Sequence, residues 1–379
     1  VMRPLWLFIR QNPLLWLLVF VPAVLLAEHL RPEAATLLFI LAVLAIIPLA
    51  ALLSRATEAV AARTGDTVGG LLNATLGNLT ELVIAMTALA AGEYMLVKAS
   101  IAGAIVTNTL FMLGASLLLG GLRHHTQSFQ IAGARLQASQ LFLATIALLV
   151  PSSVVAFRSD DGGAGLQDLS LLLAVLLIGI YGLGLVFSLR THREIFQGAD
   201  HAAVDEDWPI SLAMGTLACV TLLVAWVSEI FVGSVQEAAA GMGMSDAFVG
   251  FVVVSLVGGA AEMTSAFSAA RKNRLDLSIG IALGSASQIA LFVAPMLVLA
   301  SYVIGPSPMD LHFWMGAVIM IMLSTLTALI ICGGGRTAWF SGALVLGVYF
   351  TFAAALYLVP PGPADRGAAS SGSGVTAHR

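Results

Sequence analysis

The chain of 379 residues is 59% hydrophobic and only 10% charged, with 17 Lys and Arg against 21 Asp and Glu and a formal net charge of −4, where soluble domains carry roughly 25% charged residues. A mean hydropathy of +0.97 leaves too little polar surface for a water-facing shell, so an ordinary soluble enzyme is excluded and lipid is the main solvent. There is no basic run or RNA-binding motif and the Arg residues are scattered singly, which excludes nucleic acid as a partner.

Eleven apolar stretches are long enough to cross a bilayer as helices, at residues 6–27, 35–53, 68–91, 98–121, 136–157, 169–188, 209–234, 247–270, 277–303, 313–331 and 339–359. Arg3 and Arg10 ahead of Leu14 to Ala27 have the charge pattern of a signal peptide, but ten spans follow and no small-x-small site precedes Glu28, so the stretch reads as an uncleaved first span. Segments such as LLLAVLLIGIYGLGLVF are apolar throughout, whereas a lipid-facing β-strand alternates. The expected fold class is therefore an all-α polytopic membrane protein.

Placing the N-terminus in the cytoplasm collects Arg3, Arg10, Arg55, Arg63, Arg123, Arg135, Arg190, Arg193, Arg271, Lys272, Arg274 and Arg336 on that side. Only Arg31, Lys98, Arg158, Arg366 and Arg379 fall outside, so the charge bias sets this orientation. Arg outnumbers Lys fifteen to two beside abundant Ala, Leu and Gly, a usage associated with GC-rich bacterial genomes, and the expected location is a bacterial inner (plasma) membrane. Cys219 and Cys332 lie in or at the end of apolar segments and read as small packing residues. The joint 189–208 holds Glu194, Asp200, Asp205, Glu206 and Asp207 and reads as a solvated acidic cytoplasmic linker, and the Pro, Gly and Ser-rich residues 360–379 as a disordered tail.

Self-similarity at long period organises the rest. GNLTELVIAM, with Gly77, Asn78 and Glu81, is matched by GGAAEMTSAF, with Gly258, Gly259 and Glu262. Each is followed by a second related stretch, GAIVTNTLFMLG from Gly103 and GSASQIALFVAP from Gly284. The expected organisation is a first helix at 1–34, a five-helix repeat at 35–188, the linker 189–208, a second repeat at 209–359 and the tail. An odd number of spans per repeat inverts the second in the membrane, the arrangement of many secondary transporters with a site at the midplane.

Glu81 is fourteenth of 24 residues in its span and Glu262 sixteenth of 24, so both are expected near mid-depth. An ionised carboxylate there is costly unless paired, hydrated or protonated, which points to function. Gly77, Gly258 and Gly259 lie one turn before the acids, where they permit close helix approach or a break that frees carbonyl oxygens; Gly103, Gly114, Gly120 and Gly121 read as packing glycines. Two carboxylates with the neutral oxygens of Asn78, Asn108, Ser285 and Gln288 suit a hard divalent cation such as Ca2+. With no His or Cys beside them, a zinc or copper site is not expected. The same acids can hold protons, so cation and proton compete. Thr80, Thr107 and Thr264 could bond helices or line a pathway.

At these residues the chain resembles the Ca2+/H+ antiporter (cation/proton exchanger) family of the calcium:cation antiporter superfamily, on the stretches IIPLAALLSRATE, GGLLNATLGNLTEL, GGAAE and GSASQIALFVAP. The sodium/calcium exchanger branch carries a Pro before its acid, absent here before Glu81 and Glu262. The resemblance implies exchange of Ca2+ for protons by alternating access, with Glu81 and Glu262 as cation ligands, Asn78, Ser285 and Gln288 lining the site, and Glu58 and Glu229 as auxiliary proton-linked acids. The family pattern has Asn where Gly259 stands and His where Met263 stands, which bears on selectivity among Ca2+, Mn2+ and Na+ and on pH response. No resident cofactor is expected, the partners are Ca2+, protons and lipid, and a homo-oligomer is compatible with the sequence. Alternatives are a Na+/Ca2+ or other cation exchanger with relaxed selectivity, a cation channel with acidic rings, and an intramembrane hydrolase. The hydrolase would need a nucleophile or metal-binding His beside the acids. All seven His residues (29, 124, 125, 192, 201, 312 and 378) fall in joints or the tail.

Overall fold

The computed structural model describes residues 3–64, 66–156, 163–192 and 208–362; the linker acids Glu194, Asp200, Asp205, Glu206 and Asp207, and the tail beyond Gly362, lie outside them. The described chain is a helical bundle: α1 (Arg3–Gln11), α2 (Pro13–Leu30), α3 (Ala35–Arg63), α4 (Asp66–Leu76), α5 (Leu79–Ala90), α6 (Tyr94–His124), α7 (Ile131–Ala156), α8 (Gly163–Val186), α9 (Ile210–Gly241), α10 (Asp246–Gly258), α11 (Ala260–Arg271), α12 (Leu275–Ser301), α13 (Met315–Cys332) and α14 (Trp339–Leu358). Nine of the described helices are long and apolar enough to span, or ten with α10 and α11 taken as one span bent by 59°. The chain is a multi-pass integral membrane protein.

The expected count of eleven is not reached, because the stretch 68–91 is not one helix: it breaks at Gly77 and Asn78 into α4 and α5. The first stretch, 6–27, also divides. Pro13 lacks an N–H, and the Asn12 side chain accepts from the Leu14 N–H at 3.2 Å, so the short helix α1 ends and a new helix starts. The second stretch runs ten residues past its expected end, because α3 continues to Arg63 and carries Ser54, Arg55 and Glu58 on its last turns. An element with no counterpart in the sequence reading is a two-stranded antiparallel ribbon, with Thr126, Gln127 and Ser128 paired to Ala338, Thr337 and Arg336.

Two long helices, α3 and α9, pack along each other, and α5 and α11 each lie against this pair. Helices α6 and α12 each contain a π-helical stretch, Thr107–Met112 and Ile289–Val293, and both pass through the centre of the bundle. Outer helices α7, α8, α13 and α14 keep apolar side chains such as Leu143, Leu172, Leu183, Ile330 and Phe350 exposed, as lipid contact requires.

The segment between α12 and α13 turns into the bundle. Met309, Leu311 and Phe313 donate their N–H groups to the hydroxyls of Ser301, Ser170 and Ser152 at 2.7, 3.0 and 2.8 Å. The Tyr94 hydroxyl donates to the Ser307 carbonyl at 2.6 Å and accepts its N–H at 2.8 Å. A buried non-helical segment must satisfy its main chain in this way. At its centre Asp310 meets Lys98 Nζ at 2.6 Å, with both side chains buried. Lys98, counted by sequence among the outer basic residues, is thus an interior residue near the start of α6.

Removing one partner of a buried pair strands the other charge, which costs about 3–5 kcal/mol. Lys98→Met and Asp310→Leu should each lower the thermal unfolding midpoint of the detergent-purified protein, and the double substitution should recover much of the loss. Additive losses would show that the two charges do not depend on each other.

Candidate functional site

The two acids occupy equivalent places. Glu81 is in the first turn of α5 and Glu262 in the first turn of α11, each just after a helix break. A helix N-terminus offers free N–H groups and favours negative charge, so each break places an acid where its charge is tolerated. Asn78 occupies the position preceding α5 but makes no capping bond with its side chain; its amide is used across the bundle instead. Asn78 Nδ2 donates to Gln288 Oε1 at 2.7 Å, and Asn78 Oδ1 accepts from Ser285 Oγ at 2.8 Å. Ser285 Oγ in turn accepts from Asn108 Nδ2 at 2.9 Å. Four of the side chains singled out by sequence therefore form one continuous chain linking the break before α5, the π-helical stretch of α6 and the middle of α12.

The acids face this chain. Glu81 packs on the backbone of the other break: a Cβ placed on Gly258 would stand 2.9 Å from Glu81 Cγ and 3.4 Å from its Oε1. Glycine is required there because any side chain would displace the carboxylate. Ser285 also stands beside the Glu262 carboxyl group, and the two acids lie within electrostatic reach of each other. Oxygen Oε2 of Glu262 is buried without a hydrogen-bond partner among the described residues, an unusual condition for a polar atom. Gly77 stands 3.2 Å from Gln288 Oε1 by the same measure. Gly259 is bounded by the Met263 methyl at 3.3 Å and by Asn108 Oδ1 at 3.7 Å. Met263 thus fills the space beside Gly259.

The structure brings together Glu81, Glu262, Asn78, Asn108, Ser285, Gln288, Gly77, Gly258 and Gly259. It keeps Glu58 and Glu229 apart from them. Glu58 stands near the end of α3, with Ser54 Oγ at 3.5 Å and Arg55 at 3.9 Å, and Glu229 is exposed on α9. Thr107 joins a second polar cluster, its hydroxyl 2.9 Å from Ser255 Oγ and 3.4 Å from the Tyr349 hydroxyl. Thr80 is buried, and Thr264 is exposed and bonds the Ala260 carbonyl at 2.9 Å. Ser100 and Ser255 line a small cavity with Glu81, Ala85 and Ile289, with room on the scale of one water. Neither serine stood out by sequence. A signal was present for Ser255, which precedes Glu262 by seven residues and so lies on its helix face until the break turns the chain.

Paired broken helices with an acid at each break are the architecture of a membrane transporter. The sequence pattern described as "Sodium/calcium exchanger protein" matches residues 34–190 and 212–358. A Ca2+/H+ antiporter of Aphanothece halophytica is 41% identical over 362 residues, covering 92% of this chain and 96% of that protein. The native structure of YfkE superimposes with a TM-score of 0.80 at 33% identity, covering 92% of this chain and all of that one. That of the H+/Ca2+ exchanger CAX gives a TM-score of 0.69 at 15% identity, a likeness of fold, over 94% of this chain and 90% of that one. The chain belongs to the sodium/calcium exchanger protein family and, within it, to the Ca2+/H+ antiporter branch.

Asn78→Ala would remove a partner from both Ser285 and Gln288, and a buried polar group left unpaired costs about 1–3 kcal/mol. Denaturation of the purified protein should show that loss, and Gln288→Ala added to it should cost less than Gln288→Ala alone. Strict additivity would show that the two side chains act independently.

Proposed function

We propose that the protein exchanges Ca2+ for protons across a bacterial inner membrane by alternating access, with its N-terminus in the cytoplasm. In this reading Glu81 and Glu262 bind the cation near the membrane midplane, at the junction of two inverted repeats, residues 35–188 and 209–359. The observation that carries it is the placing of two buried acids at paired helix breaks, Glu81 against Gly258 one turn before Glu262, with one oxygen of Glu262 unpartnered among the described residues. Two acids so placed repel each other in a medium of low dielectric, and a divalent cation or added protons relieve that repulsion. The oxygens of Asn78, Asn108, Ser285 and Gln288 complete a hard-cation donor set. A proton on either acid removes a ligand, so occupancy by protons and by Ca2+ is mutually exclusive, which is the condition for exchange. The names of the relatives support the choice of ions. Glu58 and Glu229, away from the pair, act on proton access or rate in this scheme, and Gly259 with Met263 in place of Asn and His leaves pH response to the carboxylates.

Everted membrane vesicles acidified inside should take up Ca2+ and lose their pH gradient in proportion, whereas a channel would follow voltage. Glu81→Gln and Glu262→Gln should each abolish the uptake while the protein remains inserted; normal rates in both would refute the site. Because protons compete for the same oxygens, apparent Ca2+ affinity should fall as the pH is lowered and rise as it is raised. An affinity independent of pH would remove proton competition from the site.

Gly258→Ala provides a separate test of geometry. Its added carbon should push the Glu81 carboxylate aside and weaken Ca2+ binding on the order of tenfold or more. Gly179→Ala, where the structure offers open space, should leave binding unchanged. Equal affinities in the two variants would detach Glu81 from the cation.

A further inference from the structure

Charge is sorted between the two ends of the bundle. The joints 31–34 and 91–93, at one end, hold Glu33 and Glu93 beside Arg31. At the other end, residues 123–135, 271–276 and 333–339, which follow α6, α11 and α13, hold Arg123, Arg135, Arg271, Lys272, Arg274 and Arg336, all exposed, and a single acid, Asp276. That acid is already engaged, because its Oδ1 accepts the Gln130 N–H at 2.6 Å.

These bases do not stand on independent loops. Gln127, buried in the two-stranded ribbon, donates to the Ala270 carbonyl at 2.9 Å and to Asn273 Oδ1 at 3.0 Å, and His124 Nε2 lies 2.9 Å from the Arg271 carbonyl. The ribbon pairs Ser128 with Arg336, and Phe129 donates its N–H to the Gly335 carbonyl at 3.0 Å. Three joints from both halves of the chain thus form one platform. Its turns are held in costly backbone conformations: His125 takes φ 62° and ψ −61°, a γ-turn region rare for a residue with a side chain, and Asn273 takes φ 59°. Among the described residues these two are the non-glycine residues with positive φ. A charge bias that only sets orientation in the membrane needs no fixed geometry, whereas a ligand that engages several bases at once binds better to bases already in place.

Beside the platform the surface is apolar. Leu122, Trp339 and Phe340 are exposed on the helix turns that bound it, and Trp339 is fixed next to α6, since a Cβ on Gly121 would strike its backbone. Aromatic residues at the end of a span mark the headgroup level, so the bases stand at the bilayer surface and not out in water. We propose that this platform binds the phosphate groups of anionic phospholipids in the adjoining leaflet, with the acyl chains against Leu122, Trp339 and Phe340. Bases beside a span attract such lipids, and five of the six here are Arg, whose planar fork matches phosphate oxygens. A soluble polyanion would meet the same charges but gain nothing from the apolar shelf. Because the joint 271–274 directly follows α11, a bound lipid holds at its far end the helix that carries Glu262.

Spin-labelled lipids test this in phosphatidylcholine vesicles that hold the purified protein. At low salt the protein should immobilise labelled phosphatidylglycerol over labelled phosphatidylcholine by about threefold or more. The preference should shrink toward parity at about 1 M salt, where the screening length is about 3 Å. Arg123→Gln, Arg271→Gln, Lys272→Gln and Arg336→Gln combined should abolish it, while Arg10→Gln with Arg190→Gln, exposed bases of other segments, should leave it in place. Glycerophosphoglycerol, the headgroup without its chains, should not displace the labelled lipid; displacement would make the platform a site for soluble phosphates and overturn the proposal. Parity between the two lipids in the unaltered protein would overturn it too, as would a preference untouched by salt or an equal loss in the platform and control variants. Should the quadruple variant fail to insert, Arg271→Gln with Lys272→Gln, which removes as much charge as the control pair, decides in its place.

Discussion

Two acids brought together at paired helix breaks inside a lipid-embedded bundle are the constraint to which the rest of this structure answers. Neither can be left ionised in hydrocarbon without nearby dipoles or a partner. The chain meets that demand by breaking α4 from α5 and α10 from α11, so that Glu81 and Glu262 each stand in the first turn of a new helix. A break inside a membrane exposes main-chain groups, and these are tolerated only where protein covers them or a polar cavity receives them. Breaks, acids and the surrounding amides are thus one unit, and removing any of them leaves the others without compensation.

Residues outside the acids hold that unit in register. The bonds from Asn108 through Ser285 and Asn78 to Gln288 connect three helices, and their directions are constrained because each amide offers distinct donor and acceptor ends. The π-helical stretch that carries Asn108 turns its side chain toward Ser285, and π-bulges recur where a helix must re-aim a group. Glycine then sets the distance: without Gly258 the Glu81 carboxylate could not lie where it does. Polar bonds fix orientation and missing side chains fix separation.

Away from the acids the bundle is stiffened unevenly. At one end the segment before α13 is sewn in by serine hydroxyls from α7, α8 and α12 and by the Lys98–Asp310 pair, which ties the start of α6 to the scaffold. Helix α4 rests on α3 by a close backbone approach at Gly69 and Ala61. An exchanger of the kind proposed needs both qualities, since helices that move must do so against others that do not.

Much of this was legible in the linear sequence. Helical spans follow from the length of apolar runs, because lipid offers no partner for an unpaired main chain, and the acids were conspicuous because charge is rare and costly in such runs. The repeated GNLTE and GGAAE stretches marked Asn78, Glu81, Gly258, Gly259 and Glu262 as a set. Gly77, Gly258 and Gly259 were legible as places where a helix could break or pack closely, but hydropathy averages over them, so the run 68–91 read as one span where the chain forms two helices. Nor could it place Lys98, since a basic residue at a span end reads as exposed until its partner is known, and Asp310 lies 212 residues away in sequence. The bonding of Asn108 to Ser285 and the packing of Glu81 on Gly258 are likewise contacts between segments far apart in the chain. Sequence determined which chemical groups the membrane would have to accommodate; the packing of distant helices decided which of them meet, because a contact depends on the position of both partners and a sequence specifies each residue only within its own segment.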